Sequence, residues 1–279
     1  MPEGDTIFRA AQTLHRVFAG RVVTGFSSVL PYLNRVVEDH PLAGRTIESV
    51  VARGKHLLIA FSGNLILHTH MRMNGSWHIY PAGERWKRPV RDMRILIETE
   101  TAVAVGFNIP VAEFIRAREL PRHEELRRLG PDLLSDDFDE EEARRRIQAR
   151  PAEPIAEVLI NQRVVAGIGN VYKSEVLFAC RINPFVKAGD LGIDALQCLI
   201  TTARRLLLAN VHTSLAPMTT YTGFRRTTGR DNPGERLWVY GRAGHPCRRC
   251  GTAVKIDKRG ADARLTYWCP KCQGAEQRS

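Results

Sequence analysis

Apolar residues Ile7, Phe8, Ala11, Leu14 and Phe18 recur three or four positions apart, which is the spacing of one helix face and predicts an amphipathic helix over 5–18. The period then changes. Residues 22–23, 46–51, 57–61, 65–68, 95–97 and 102–107 are short apolar or β-branched runs separated by Gly, Asn or Pro. They predict a sheet-rich region, a sandwich. From about residue 120 the spacing is helical again. Asp136, Asp137 and the acids at 139–142 precede Arg144, Arg145, Arg146 and Arg150. Acids first and bases last suit a helix dipole, so this charge run reads as a helix signature and not as a ligand site. Further helices are expected over 154–165, 171–179 and 193–210, and a mobile connector over 211–236. No internal repeat or low-complexity tract interrupts the pattern.

A chain of 279 residues, 43% hydrophobic and 25% charged, has material for one large or two ordinary domains and argues against disorder or a coiled coil. No uncharged apolar run reaches the roughly 18 residues of a membrane helix. The start, Met1-Pro2-Glu3-Gly4-Asp5, lacks a basic segment followed by an apolar one. The expectation is a cytoplasmic protein with no membrane partner. Charge is unevenly placed: residues 201–279 carry 15 basic and 5 acidic side chains, nearly all of the net +11. A positive field gathered into the last quarter suggests an anionic partner, with duplex nucleic acid the usual one. An ordinary solvated basic surface is the alternative.

What that quarter contains decides between them. Cys247-x2-Cys250, then 18 residues, then Cys269-x2-Cys272 puts four thiolates at the ends of two tight turns, tetrahedral around one zinc, with a hairpin between. Four ligands leave no open position, so the metal would hold structure. Disulfides are the alternative, but nothing points to an oxidising compartment. Cys180 and Cys198 lie in apolar helical stretches and read as buried filler. Lys255, Lys258, Arg259 and Arg264 on the hairpin direct it toward phosphate.

Two other segments carry candidate chemistry. In 165–171 the pair Gly167 and Gly169 permits a close backbone approach, and Asn170 suits an N-cap whose helix points free N–H groups outward. The segment reads as a phosphate clamp, or by itself as a plain helical corner. At the N-terminus, removal of Met1 would leave Pro2 as a secondary amine beside Glu3. Such an amine, titrating at about 7.7–8.0, can attack an aldehyde-like carbon, and a neighbouring carboxylate can shuttle protons. Alone, Met-Pro-Glu is a common beginning.

Met1-Pro2-Glu3-Gly4, Arg53-Gly54-Lys55, Gly167-Ile168-Gly169-Asn170 and the four-cysteine finger ending Tyr267-Trp268-Cys269-Pro270-x-Cys272-Gln273 stand in the order found in one family. End to end, the chain resembles the formamidopyrimidine-DNA glycosylase/endonuclease VIII (Fpg/Nei) family, and is most similar to the endonuclease VIII branch. The resemblance implies an α+β fold: an N-terminal helix and β-sandwich (1–120), a helical helix–two-turn–helix domain (121–236) and a zinc-finger hairpin (237–279). It implies a bifunctional DNA glycosylase and apurinic/apyrimidinic lyase. Pro2 would form the Schiff base with C1′ and Glu3 would donate the proton. Lys55 would assist β-elimination and Arg264 δ-elimination. Asn170, in the turn with Gly167 and Gly169, would bind phosphate, and Arg128 matches a further DNA-contacting position. Because the damaged base must leave the stack, Arg72 and Met73 would fill the gap. His68 and His70 on the same strand raise the thought of a metal site, with structural or DNA-facing histidines preferred. Zinc would be the sole cofactor, damaged DNA the partner, and the chain a monomer.

The departures refine the expectation. The Arg-Phe-Gly segment of the formamidopyrimidine branch is absent from 105–110, and Gly4 favours the endonuclease VIII branch, whose usual substrates are oxidised pyrimidines. Asp5-Thr6 replaces the Pro-Glu usual there, and Arg72 stands where that branch often has Gln. Two rivals remain: a non-catalytic damage-binding protein, which the pairing of Pro2 with Glu3 opposes, and an enzyme for 8-oxoguanine-type lesions, which the missing Arg-Phe-Gly opposes.

Overall fold

The structure, a computed structural model, describes residues 2–211, 225–259 and 264–274. The chain divides into two compact units, one through Arg128 and one from Leu129.

The first unit opens with α1 (Gly4–Phe18), whose Ile7, Ala11, Leu14 and Phe18 are buried as the helical spacing requires. Two antiparallel four-stranded sheets follow. Strands β1 (Val23–Ser28), β2 (Ile47–Arg53), β3 (His56–Phe61), β4 (Leu65–His70), β5 (Ser76–Pro81), β6 (Met93–Thr99), β7 (Ala102–Phe107) and β8 (Val111–Arg116) assemble in the orders β1-β6-β7-β5 and β2-β3-β4-β8. Leu57, Ile59 and Leu67 of one sheet share a core with Trp77, Ile95, Ile97 and Ala104 of the other, and α1 joins it. The sandwich is thus as expected. Strand β7 is buried on both faces, which is why its sequence is an unbroken apolar run. Short α2 (Pro31–Asp39) starts with proline at its first position and buries Leu33. A turn of helix, α3 (Glu124–Arg127), closes the unit.

The second unit is helical. α4 (Glu140–Gln148) carries the anticipated polarity: Asp139 accepts the Glu142 N–H at 2.8 Å, and Arg145 and Arg146 end the helix. α5 (Ile155–Ile160) stops five residues earlier than its apolar run suggested, because Asn161 begins a turn. α6 (Asn170–Ala179) is buried on every side from Asn170 to Phe178, and α7 (Ile193–Val211) packs beside it. A two-stranded hairpin, β9 (Lys255–Arg259) and β10 (Arg264–Trp268), lies on α6.

Two expectations need correction here. Cys180 and Cys198 are not separate buried thiols. Each is half-buried, and they are joined as a disulfide, with Cα atoms 6.0 Å apart between the end of α6 and α7. The connector expected over 211–236 is fastened where it is described: the Asn210 amide donates to Arg226 O at 2.9 Å and accepts the Arg226 N–H at 2.7 Å. Residues 212–224 of that stretch lie outside the described residues.

Candidate functional site

Pro2 and Glu3 sit at the start of α1. The Glu3 carbonyl accepts the N–H groups of Thr6 and Ile7 at 2.9 and 3.1 Å, so the first helical turn begins there, and the Glu3 side chain is fully buried. Asp5, also fully buried, places a carboxylate in that turn, where the positive end of the helix favours it. Met1 lies outside the described residues.

Pro2 lines a cavity of about 680 Å³. Arg72, Met73, Asn74 and Gly75 form one wall, Arg88 and Arg94 another, and Asn108 lies at its edge. The wall of 72–75 is a tight tip after β4. Arg72 adopts φ +48, its N–H bonds His70 Nδ1 at 2.9 Å, and the Gly75 N–H closes the turn on Met71 O at 2.9 Å. A Cβ at Gly75 would come within 2.5 Å of that carbonyl, so glycine is required. Met73 is left 59% exposed, an unusual place for an apolar side chain with no partner. Asn108, likewise left-handed at φ +49, donates its N–H to Asp92 O at 2.8 Å. Phe107 beside it is wholly buried with Tyr80, Val103 and Val105, so its ring is not available as a wedge. Arg88 is held rather than free: it donates to Ser76 Oγ at 3.0 Å and lies over the Phe107 ring. Of these residues sequence reasoning missed Arg88, Arg94 and Asn108, whose one signal was the Asn108-Ile109-Pro110 turn.

Lys55 does not line this cavity. It stands in the two-residue turn between β2 and β3, where Gly54 takes φ +58. Next to it begins a polar chain that sequence reasoning glimpsed only at His68 and His70. His56 Nδ1 lies 2.8 Å from His68 Nε2, His68 Nδ1 lies 2.9 Å from Glu113 Oε1, and His123 Nε2 lies 2.9 Å from the same oxygen. His123 Nδ1 accepts the Leu126 N–H, so its proton sits on Nε2 and faces Glu113. The carboxylate accepts from both rings, and His68 in turn accepts from His56. Burial, reinforced by His70, His68 and Arg72, pushes His56 down to about 2. Burial, with Arg72 and Lys55, brings His70 to about 4. Burial would raise Glu113, but the bonds from His68 and His123 outweigh it and hold the carboxyl below its ordinary value. His68, Glu113 and His123 lie close enough to hold a metal ion. The same contacts form a hydrogen-bond network in which both rings meet one carboxylate oxygen.

Arg128 follows α3 and pairs with Glu124 at 2.6 Å on its own helix, away from the cavity residues.

In the second unit the glycine turn is stapled by Gln162, whose amide donates to Ile160 O and Ile168 O and accepts the Gly167 N–H at 3.0 Å. Gly167 adopts φ +105, closed to other residues. Gly169, not Asn170, is the N-cap; Asn170 is the first helical residue, 7% exposed, and its buried Oδ1 has no hydrogen-bond partner among the described residues. The N–H groups at this helix N-terminus, rather than the Oδ1 acceptor, are what suit a phosphate ligand.

The four cysteines converge. Cys247 and Cys272 sulfurs are 3.9 Å apart and those of Cys250 and Cys269 3.4 Å, close to the ~3.8 Å edge of a tetrahedron with 2.3 Å zinc–sulfur bonds. The N–H groups of Arg249 and Cys272 point at Cys247 and Cys269 sulfurs. The donor set fits one structural zinc. Arg264 opens β10, opposite Arg259.

Family models match in the same order. The formamidopyrimidine-DNA glycosylase N-terminal domain matches residues 1–110, that enzyme's H2TH domain 129–221, and the zinc finger found in FPG and IleRS 244–274. A probable endonuclease 8 2 of Streptomyces coelicolor is 42% identical over 98% of this chain and 94% of its own length. The DNA-(apurinic or apyrimidinic site) lyase Nei2 of Mycolicibacterium smegmatis is 38% identical over 99% of the chain and its own full length. Endonuclease 8 of Escherichia coli is 30% identical over 98% of the chain. The fold is that of Lactococcus lactis Fpg in complex with abasic-site DNA: TM-score 0.81, 22% identity, covering 98% of this chain and 100% of that one. The chain belongs to the formamidopyrimidine-DNA glycosylase/endonuclease VIII family.

Proposed function

We propose that the protein is a bifunctional DNA glycosylase and apurinic/apyrimidinic lyase that removes oxidised bases, pyrimidines preferred, and then cuts the strand by β- and δ-elimination. The observation that carries this reading is Pro2 on the wall of the 680 Å³ cavity, next in sequence to the fully buried Glu3. The Mycolicibacterium relative, a DNA-(apurinic or apyrimidinic site) lyase, supports it.

Loss of Met1 exposes the Pro2 amine at the positive end of α1, which disfavours its protonated form and leaves the lone pair free. That lone pair bonds C1′ of the flipped nucleotide. The glycosidic bond breaks, the base departs with a proton from Glu3, and an iminium links Pro2 to the sugar. The iminium acidifies the 2′ position; loss of that proton expels the 3′ phosphate, and a second elimination expels the 5′ phosphate. Lys55 serves the first elimination and Arg264 the second, while Asn170 with the Gly167–Gly169 turn, and Arg128, grip the backbone. Arg72 and Met73 fill the vacated stack. The buried Phe107 favours the pyrimidine reading over an 8-oxoguanine enzyme, since its ring is not presented for insertion. The three-part organisation 1–120, 121–236 and 237–279, a monomeric state and a cytoplasmic location complete the reading.

Borohydride trapping on a duplex with an abasic site, with N-terminal mass analysis of the same sample, tests it. The expected result is a covalent adduct in protein lacking Met1, absent in Pro2→Gly. No adduct from Met1-free, zinc-loaded protein would replace the enzyme by the non-catalytic damage binder. Excision of thymine glycol compared with 8-oxoguanine opposite cytosine separates the two enzymatic readings.

A further inference from the structure

Lys173 is fully buried in the middle of α6, which burial of an ammonium makes costly unless donors are matched. Its Nζ reaches across to the finger hairpin, donating to Thr266 Oγ1 at 2.9 Å and to Leu265 O at 3.3 Å. The next two helix residues do the same work elsewhere. Ser174 Oγ accepts the Tyr267 N–H at 3.3 Å. Glu175 accepts the N–H groups of Trp238, Val239 and Tyr240 at 2.8–2.9 Å, and the Thr227 hydroxyl. Three successive residues of one helix therefore fix the finger to it by buried polar bonds, and that helix begins at Asn170.

On β10 side chains alternate, so Arg264 and Thr266 face the same side of the hairpin. Thr266 is 2% exposed on the α6 side, while Leu265 is 38% exposed on the other. A one-residue slip of β10 against α6 would turn Arg264 to the opposite face. Hydrophobic packing alone restrains such a slip weakly at a short strand; a charged donor reaching two adjacent residues of β10 restrains it directly.

We propose that Lys173 is a positioning residue for Arg264: it sets the register of β10 on α6, and so aims the Arg264 guanidinium at the DNA backbone at a fixed span from Asn170. This rests on the reading of Arg264 as a phosphate contact.

The test is a double-mutant cycle on affinity for a duplex bearing a stable abasic analogue, which needs no catalysis. Lys173→Met removes the donors at similar volume, and Thr266→Val removes one acceptor without touching the helix. Zinc content measured on each sample shows that the finger is loaded. Lys173→Met is expected to weaken binding about tenfold, and Thr266→Val less, in protein that keeps its zinc. In the Arg264→Ala background both should change affinity less than about twofold. On a preformed abasic site, Lys173→Met should shift products from β,δ- toward β-elimination while Pro2 trapping persists. Losses that add fully to that of Arg264→Ala, or an unchanged product ratio, would overturn the proposal and leave Lys173 as a structural residue. Arg264→Ala alone with unchanged affinity and products would instead overturn the reading of Arg264.

Discussion

At the scale of single residues, Met73 and Pro2 were legible in the sequence for different reasons. Pro2 carried its chemistry in its identity, a secondary amine next to an acid, and needed a family likeness to outweigh the commonness of Met-Pro. Met73 was named by likeness, and its meaning comes from exposure: an apolar side chain at 59% exposure has nothing to stabilise in the free protein. Met73→Ala should change unfolding free energy by less than about 0.5 kcal/mol. It should lower excision from duplex DNA several-fold while leaving excision from a single strand, which has no gap to fill, nearly unchanged. Equal losses on both substrates would mean that Met73 touches the reacting nucleotide. Arg88, Arg94 and Asn108 were not legible, because they reach the cavity from a loop, from strand β6 and from the turn after β7, and no spacing in the sequence joins them.

At the scale of elements, helices with one clean apolar face were read correctly. α1 is an instance, and the error at α5 shows the limit: Asn161, Gln162 and Arg163 break the apolar run, and the buried Val164 and Val165 beyond them belong to the following turn. Strands β5 and β8 escaped notice because His78, Glu113 and Arg116 interrupt their apolar positions. Of these, Glu113 belongs to the polar network of His56, His68 and His123. Its acid response has a definite sign. His56 is held at about 2, so below about pH 6.5 the unfolded chain takes up a proton that the native state refuses. Stability is therefore complete above that pH and falls as acid is added. Glu113, held low, works in the same direction, since protonating it in acid breaks its bonds. Urea denaturation should show lower stability at about pH 5 than at about pH 7, and His56→Gln should flatten that slope by up to about 1.4 kcal/mol per pH unit. An unaltered slope would show that His56 protonates freely in the native state. The finger behaves as another separable element. On the proposed reading, in which the finger grips the DNA backbone, Cys269→Ser should release zinc and weaken binding to damaged and undamaged duplex alike. Full affinity in zinc-free protein would remove the finger from the grip.

At the scale of the whole molecule, composition pointed to the partner before any site did. Nearly all of the net +11 lies beyond residue 200, in the region of the finger and its approach. Affinity should accordingly fall steeply as salt rises, and Arg264→Ala should reduce the slope of log Kd against log salt by about one, the share of a single phosphate contact. A slope untouched by that change would place Arg264 away from phosphate. The sandwich and the finger were recoverable because periodicity and cysteine spacing are local signals. The hold of α6 on the hairpin was not, since Lys173 and Thr266 are 93 positions apart and become neighbours only on folding. The exposed tip also has a chemical liability. The Met73 thioether stands in solvent, where peroxides convert such a sulfur to a polar sulfoxide until a reductase restores it. On the proposed role of Met73, conditions that oxidise bases would oxidise this side chain too, and methionine sulfoxide reduction would restore it.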